Sequence, residues 1–137
     1  MTERFFKKGK MVQYVERRRC RRFEIAGAQV RYKKTGLLVF KKEFSEAYPV
    51  VNVSKGGLGF LCDEKLRRGQ KVMVELLVPD ESPLSLRGQV RWQGQPVPGG
   101  NIMVGVAFLP FGTHRALNPL EALDVLRRLD ARYGKER

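Results

Sequence analysis

Acidic residues are scarce in this sequence, which has 14 Asp and Glu against 27 Lys and Arg and therefore a net charge of +13. The imbalance is strongest in residues 1–35, which contain twelve basic residues and only three acidic ones. A field of that sign attracts polyanions and speeds their capture. It does not distinguish nucleic acid, a lipid surface and a small phosphorylated ligand, so the charge alone leaves all three open.

Cysteine and histidine are nearly absent as well. Cys20 and Cys62 are the two cysteines; they lie far apart and match no C-x-x-C pattern, which argues against a zinc site and a disulfide scaffold. His114 is the only histidine, and we expect it in a loop, with no catalytic or ligating role. The sequence has no nucleophile–base pair, no cluster of metal ligands and no G-x-x-x-x-G-K phosphate loop. It therefore predicts a protein that is not an enzyme and holds no cofactor or metal.

Long apolar runs are also missing. None approaches the ~20 residues that a membrane helix needs, and no apolar signal core follows the charges of residues 1–8. We therefore expect a cytoplasmic protein without a membrane span. The 137 residues contain no internal repeat and no long linker, so their number indicates a single domain.

Alternating apolar and polar residues predict an all-β fold. Seven candidate strands, some very short, are separated by turn signals at 28–33, 37–40, 48–54, 58–62, 72–78, 84–92 and 102–109, and a Gly- and Pro-rich loop is expected at 94–101. Strands at such short spacing are typical of a barrel or a sandwich, and barrel closure would leave few free edges. The alternation predicts a buried set and an exposed set: Val74, Val90, Trp92, Val104 and Val106 in the core, and Arg87 and Arg91 outside.

The period changes to that of a helix near the C-terminus. Asn118 is expected as the N-cap and Pro119 as the first helical residue, and Gly134 ends the pattern. An apolar stripe runs along the helix at Ala122, Val125, Leu126, Leu129 and Tyr133. We expect this stripe to pack on the barrel, with a dimer contact as the alternative.

Two stretches carry the functional signal. The segment 17–22 reads RRRCRR and so holds five arginines in six positions. Arginine is suited to two-pronged recognition of phosphate or of a guanine edge, whereas lysine would serve equally well in a solvated run of positive charge. The alternative is a solvated basic arm or a nonspecific nucleic-acid patch. The segment 52–57 reads NVSKGG, and because Asn52 and Ser54 leave their strand on the same side they can meet one ligand.

Together the two stretches resemble the PilZ domain family, whose members carry an R-x-x-x-R arm ahead of a six-stranded antiparallel β-barrel and a [D/N]-x-S-x-x-G turn within it. Arg18 and Arg22 match the arm, and Arg17 with Arg21 gives a second frame. The turn matches at 52–57. The segments 58–60 and 104–108, LGF and VGVAF, are also similar to PilZ sequences.

The resemblance implies a six-stranded antiparallel PilZ-type β-barrel with one C-terminal helix. The expected segments are a flexible basic N-terminus at 1–15, the barrel with its arginine arm at 16–112 and the packed helix at 113–137. It also implies a ligand, cyclic di-GMP, a bacterial second messenger with two guanines and two phosphates. The candidate ligand-binding residues are Arg18, Arg22, Asn52, Ser54 and Gly57, with Arg17, Arg19 and Arg21 as further candidates.

Each matched residue suits that ligand. The arginines can pair with phosphate, present a fork to guanine O6 and N7, or stack on a base. The Asn52 carbonyl can accept from the guanine N1–H and N2–H₂ edge, where an Asp would accept more strongly. The Ser54 hydroxyl suits a phosphate or sugar oxygen, or braces the turn, and Gly57 would let the backbone approach closely.

The resulting hypothesis is a cyclic di-GMP receptor that changes the conformation of its N-terminal arm and signals to a separate partner, in motility, pilus, polysaccharide or transcription machinery. Two alternatives stay open. One is a basic nucleic-acid-binding small barrel, against which stands the lack of an aromatic row for stacking bases. The other is a PilZ-type adaptor that binds protein and no nucleotide.

Overall fold

The computed structural model describes residues 21–36, 43–96 and 98–134. This part of the chain forms the strands β1 Gln29–Lys34, β2 Tyr48–Val53, β3 Gly57–Cys62, β4 Lys71–Leu77, β5 Leu84–Pro96 and β6 Ile102–Phe108 and the helix α1 Leu120–Tyr133. The strands close into a barrel in the order β1-β2-β3-β6-β5-β4, and every neighbouring pair is antiparallel. The predicted six-stranded barrel with a C-terminal helix is confirmed. The strand expected at 37–40 and the segment 1–15 lie outside the described residues.

Alternation decides which side chains fill the barrel. Along β4, Val72, Val74 and Leu76 are buried while the residues between them are partly exposed, because successive side chains of a strand point to opposite faces. Four of the five residues predicted for the core, Val74, Val90, Val104 and Val106, are buried, and Arg87 and Arg91 are exposed as predicted.

Trp92 is the exception, and the prediction for it was wrong. Val90 pairs with Val106 and Trp92 pairs with Gly105, so β5 advances two residues where β6 advances one. Arg91 is the extra residue of this β-bulge, and a bulge shifts the alternation by one position. The Trp92 side chain therefore points outward and is 41% exposed. The strand also continues to Pro96, further than predicted, so the loop expected at 94–101 begins later.

The helix packs on the barrel through the predicted stripe. Ala122, Leu126 and Leu129 are buried in the same hydrophobic cluster as the barrel residues, and Val125 and Tyr133 are partly buried against it. Glu81, after β4, forms ion pairs with Arg128 and Arg132. Gly134 follows the last turn as predicted, and its N–H donates to the Asp130 carbonyl at 2.7 Å. Among the described residues, no helix combines the length and the apolar character needed to cross a membrane.

Asn118 was predicted as the helix N-cap, and this was wrong. Pro119 is the cap position, without a side-chain hydrogen bond. The Asn118 side chain is 1% exposed and binds the barrel instead. Its Oδ1 accepts from the Arg87 N–H at 2.7 Å, and its Nδ2 donates to the carbonyls of Arg87 and Leu109, each at 3.0 Å. The buried amide thus bridges Arg87 within β5 and Leu109 just after β6, where the Leu109 N–H also donates to the Arg87 carbonyl at 2.9 Å. It supplies a partner to the buried Arg87 N–H and to the Leu109 carbonyl.

We expect Asn118→Ala to lower the free energy of unfolding by about 2–4 kcal/mol. It leaves the Arg87 N–H and the Leu109 carbonyl without this partner, and it removes the second of two hydrogen bonds to the Arg87 carbonyl. Urea denaturation followed by circular dichroism measures the loss. His114→Ala is the control, because His114 is exposed in the same connection between β6 and α1, and its removal should change stability by no more than about 0.5 kcal/mol. Equal effects of the two substitutions would contradict the bracing role of Asn118.

Candidate functional site

A cleft of about 490 Å³ lies where β2, β3, β5 and β6 meet the start of the described chain. Arg22, Asn52, Ser54 and Gly57 line it together, although Arg22 is separated from the others by β1 and the chain that follows it. Four of the predicted site residues therefore share one surface. Arg17, Arg18 and Arg19 lie outside the described residues.

The backbone directly after Arg22 is held at β2. The N–H of Phe23 donates to the Val53 carbonyl and the Val53 N–H donates to the Phe23 carbonyl, both at 2.8 Å. Phe23 and Ile25 are buried in the core. Val53, the β2 residue of this pair, stands between Asn52 and Ser54 in sequence. The exposed Arg22, next to Phe23, therefore enters the cleft beside these two motif residues.

Ser54 is 7% exposed and braces the turn after β2. Its Oγ accepts from the N–H groups of Gly56 at 3.0 Å and Gly57 at 3.2 Å, and the Ser54 N–H donates to the Gly57 carbonyl at 2.8 Å. Serine hydroxyls commonly close turns in this way. Of the two roles that the sequence left open for this hydroxyl, the structure displays the bracing one.

Gly57 and Gly59 are glycines for different reasons. A Cβ at Gly57 would collide with the backbone carbonyl of Val106, so β6 itself demands a glycine there. A Cβ at Gly59 would lie 3.3 Å from the Asn52 Oδ1, which locates the Asn52 amide directly over this residue. The side of Gly57 on which a Cβ would stand is thus taken by β6, while Gly57 also lines the cleft, so its approach to a ligand stays a prediction.

Trp92 contributes a flat apolar surface to the cleft. Its indole rests on Gly105, where any Cβ would collide with indole atoms Cε2 and Nε1. Only one large aromatic side chain is exposed in the described part of the chain, and it is Trp92. A side chain supported from below by backbone is held in place, and its exposed surface is available for stacking against another ring.

Two arginines that sequence reasoning missed complete the cleft. Arg68 comes from the connection between β3 and β4, and Arg91 is the extra residue of the β5 bulge. With Arg22 they place three guanidinium groups around the cleft, and its lining, as far as the structure describes it, contains no acidic residue. A concave surface of one charge sign concentrates ligands of the opposite sign.

Arg21 does not line the cleft. Its Nη2 lies 3.2 Å from the Asp130 Oδ1 on α1, in an ion pair in which the Asp130 side chain is 14% exposed. The two described arginines of the arm thus contact different parts of the molecule.

A second cavity, of about 530 Å³, lies between β5 and the start of α1 and contains none of the predicted site residues. His114 lines it from an exposed position in the connection between β6 and α1, which matches the loop position expected for it. Cys62 is buried beside Tyr32, and burial raises the pKa of its thiol, which disfavours the reactive thiolate. Within the described ranges no group of three or more His, Cys, Asp and Glu could hold a metal ion.

Comparison with known sequences and structures decides the family. A sequence model of the PilZ domain matches residues 16–123, which is most of the chain. This protein belongs to the PilZ domain family. None of the curated proteins matches it.

Among solved structures, this PilZ domain is similar to the inhibitor of motility MotI/DgrA of Bacillus subtilis, with a TM-score of 0.55 and 15% sequence identity. The match covers 85% of this chain and 52% of the other, so this PilZ domain spans about half the length of that protein. At this identity the likeness supports the fold alone. PilZ domains are receptor or adaptor domains, not enzymes.

We expect Ser54→Ala to destabilise the PilZ barrel by about 1–2 kcal/mol, because the N–H groups of Gly56 and Gly57 lose their acceptor. Ser54→Thr keeps the hydroxyl and is the matched control, with a smaller loss. Thermal unfolding of both variants measures the difference. A Ser54→Ala protein as stable as the wild type would show that the hydroxyl is not needed for the turn.

Proposed function

We propose that this PilZ domain is a non-catalytic receptor for cyclic di-GMP in the bacterial cytoplasm that passes its signal to a separate protein. The observation that carries the proposal is the convergence of Arg22 with Asn52 and Ser54 in one cleft that also holds Trp92. Arg22, Asn52 and Ser54 belong to the two family motifs, and the β-bulge between β5 and β6 turns Trp92 toward the cleft.

The chemistry of the cleft matches the two parts of the ligand. Arg22, Arg68 and Arg91 can each hold a phosphate through two parallel hydrogen bonds or present a fork to guanine O6 and N7. The Asn52 carbonyl can accept from the guanine N1–H and N2–H₂ edge. Trp92 offers a face on which a guanine can stack. Cations and a stacking surface in the same cleft favour a nucleotide over inorganic phosphate or an acidic peptide.

The size of the cleft is compatible with a small ligand. Its volume of about 490 Å³ lies in the range of roughly 300–1,000 Å³ that is usual for small-molecule sites. The predicted Arg18, four residues before Arg22, would cover the ligand from the arm. We expect ligand binding to change the conformation of the arm, and so the surface that a downstream partner contacts.

The nucleic-acid alternative has less support. Proteins that bind single strands stack successive bases on several aromatic side chains. The described surface exposes one large aromatic side chain, Trp92, which suits one or two bases and not a strand. The charge of +13 remains in favour of polyanion binding in general, so duplex DNA belongs in the test as a competitor.

We expect Arg22→Ala to weaken cyclic di-GMP binding by about 2–5 kcal/mol in isothermal titration calorimetry, because it removes a charged partner from a cleft contact. Arg22→Lys keeps the charge but loses the planar fork, and should weaken binding almost as much. Arg31→Ala is the control, because Arg31 is exposed on β1 outside the cleft and its loss should cost well under about 1 kcal/mol.

The same titrations separate the alternatives. If Arg22→Lys binds like wild type and Arg31→Ala binds as weakly as Arg22→Ala, the arm attracts polyanions by charge alone. If the affinity for a short duplex DNA falls steeply when the salt concentration is raised, the DNA is also bound through charge attraction alone. If the folded wild-type protein releases no heat with cyclic di-GMP, it is an adaptor that binds no nucleotide.

Trp92 is the only tryptophan in the chain, so its fluorescence reports directly on the cleft. We expect cyclic di-GMP to quench this fluorescence, because a guanine stacks on the exposed indole. Trp92→Ala should weaken binding by about 1–3 kcal/mol, the value of one base–aromatic stack, with Trp92→Phe intermediate. Because the indole is 41% exposed, Trp92→Ala should cost less stability than the ~3–5 kcal/mol of a buried aromatic. Binding without quenching, and unchanged in Trp92→Ala, would remove Trp92 from the ligand site.

A further inference from the structure

The ligand arm is attached to the C-terminal helix as well as to the barrel. Arg21 Nη2 and Asp130 Oδ1 are 3.2 Å apart, in hydrogen-bond geometry. The Arg21 side chain is 50% exposed and the Asp130 side chain only 14%, so a half-exposed guanidinium group binds a mostly buried carboxylate. The two residues are 109 positions apart in sequence, so the contact joins the segment before the barrel to the helix after it.

Arg21 and Arg22 are adjacent, yet they serve different surfaces. Successive side chains of an extended segment point to opposite sides. Arg21 contacts α1, and Arg22 lines the cleft next to Asn52 and Ser54. The orientation of the Arg21 side chain therefore limits where the Arg22 side chain can point. Directly after them, the hydrogen bonds between Phe23 and Val53 hold the backbone at β2.

Asp130 is itself held firmly. It follows Leu129, which is 2% exposed in the interface between helix and barrel. The neighbouring Arg128 and Arg132 both pair with Glu81, whose side chain is 14% exposed. The Asp130 carbonyl also accepts the Gly134 N–H that ends the helix. Asp130 is thus a carboxylate on a fixed helix and not on a mobile end.

We propose that Asp130 is a positioning residue for the ligand arm. By binding Arg21 it fixes how the arm crosses from helix to barrel, and so directs Arg22 into the cleft. This inference rests on the proposed function and extends it to the C-terminal helix. Linkage makes the coupling reciprocal, so bound ligand strengthens the Arg21–Asp130 contact by as much as that contact strengthens ligand binding.

The sign of one substitution separates positioning from general electrostatics. Asp130→Asn removes a negative charge from a protein whose ligand is an anion, so the summed field alone predicts tighter binding. Positioning predicts the opposite. Because an ion pair of this exposure is weak, we expect Asp130→Asn to weaken cyclic di-GMP binding by roughly twofold to fivefold in calorimetry.

Two further variants complete the design. Asp124→Asn is the control, because it removes the same charge from the same helix. The exposed Asp124 forms an ion pair with Arg127, three residues further along the helix, so its loss should leave ligand affinity unchanged or slightly higher. Arg21→Ala should weaken binding at least as much as Asp130→Asn. The double variant should be no weaker than Arg21→Ala alone, because that substitution already removes the contact with Asp130. Additive losses, or tighter binding by Asp130→Asn, would overturn the proposal.

A measurement without ligand tests the inference separately from the proposed function. Amide hydrogen exchange at Phe23 and Val53 reports how firmly the arm is held at β2. We expect faster exchange at these two amides in Asp130→Asn and wild-type rates in Asp124→Asn. Unchanged exchange in Asp130→Asn refutes the positioning role, whatever the ligand. Faster exchange in a protein that binds no cyclic di-GMP refutes the proposed function and leaves Asp130 as the residue that holds the arm.

Discussion

The cleft depends on how closely β3 and β5 approach β6. A Cβ at Gly57 would collide with the Val106 carbonyl, and a Cβ at Gly88 would lie 2.8 Å from the Ala107 carbonyl. Glycine at both positions leaves room for β6, whose backbone lies against Gly57 and whose Val106 side chain and Ala107 carbonyl lie against Gly88. Close approach of this kind is the situation in which glycine is favoured inside a strand. Gly105 on β6 extends the same surface and supports Trp92. Gly56, Gly57, Gly59 and Gly105 line the cleft, so much of its surface is backbone, and the arginine, asparagine and tryptophan side chains supply its functional groups.

Period-two alternation was enough to predict an all-β fold and most of its core, because the core depends on side chains that face inward, such as Val74 on β4 and Val104 on β6. Alternation left a barrel and a sandwich open, and the resemblance to the PilZ family implied the six-stranded barrel. It failed at Trp92 because a bulge is a property of two strands. The sequence of β5 does not reveal that Arg91 has no partner on β6. The prediction for Asn118 failed for a related reason. Local capping rules favoured a contact with the helix, whereas the backbone of Arg87 and Leu109 offered three hydrogen bonds.

The same distinction applies to the site. Motif spacing identified Arg22, Asn52 and Ser54, because these residues lie on short segments with a recognisable local pattern. Trp92 and Arg91 reach the cleft through the bulge, so only the paired strands reveal them. The one hint in the sequence was Gly105 in the middle of an apolar strand, which indicates that something approaches the backbone there.

The parts of the cleft differ in how easily a ligand could move them. The Ser54 turn is braced by its own hydroxyl, and the strands on either side are fixed by barrel closure. Such preorganised groups reduce the ordering cost of binding, but they have little capacity to change shape. The arm is attached to β2 by the two hydrogen bonds between Phe23 and Val53 and to α1 through Arg21. A ligand shifts a conformation only where it binds two states differently. On the proposed function, Arg21 and Arg22, which lead into Phe23, are therefore the part of the described site that we expect to transmit ligand binding to a partner.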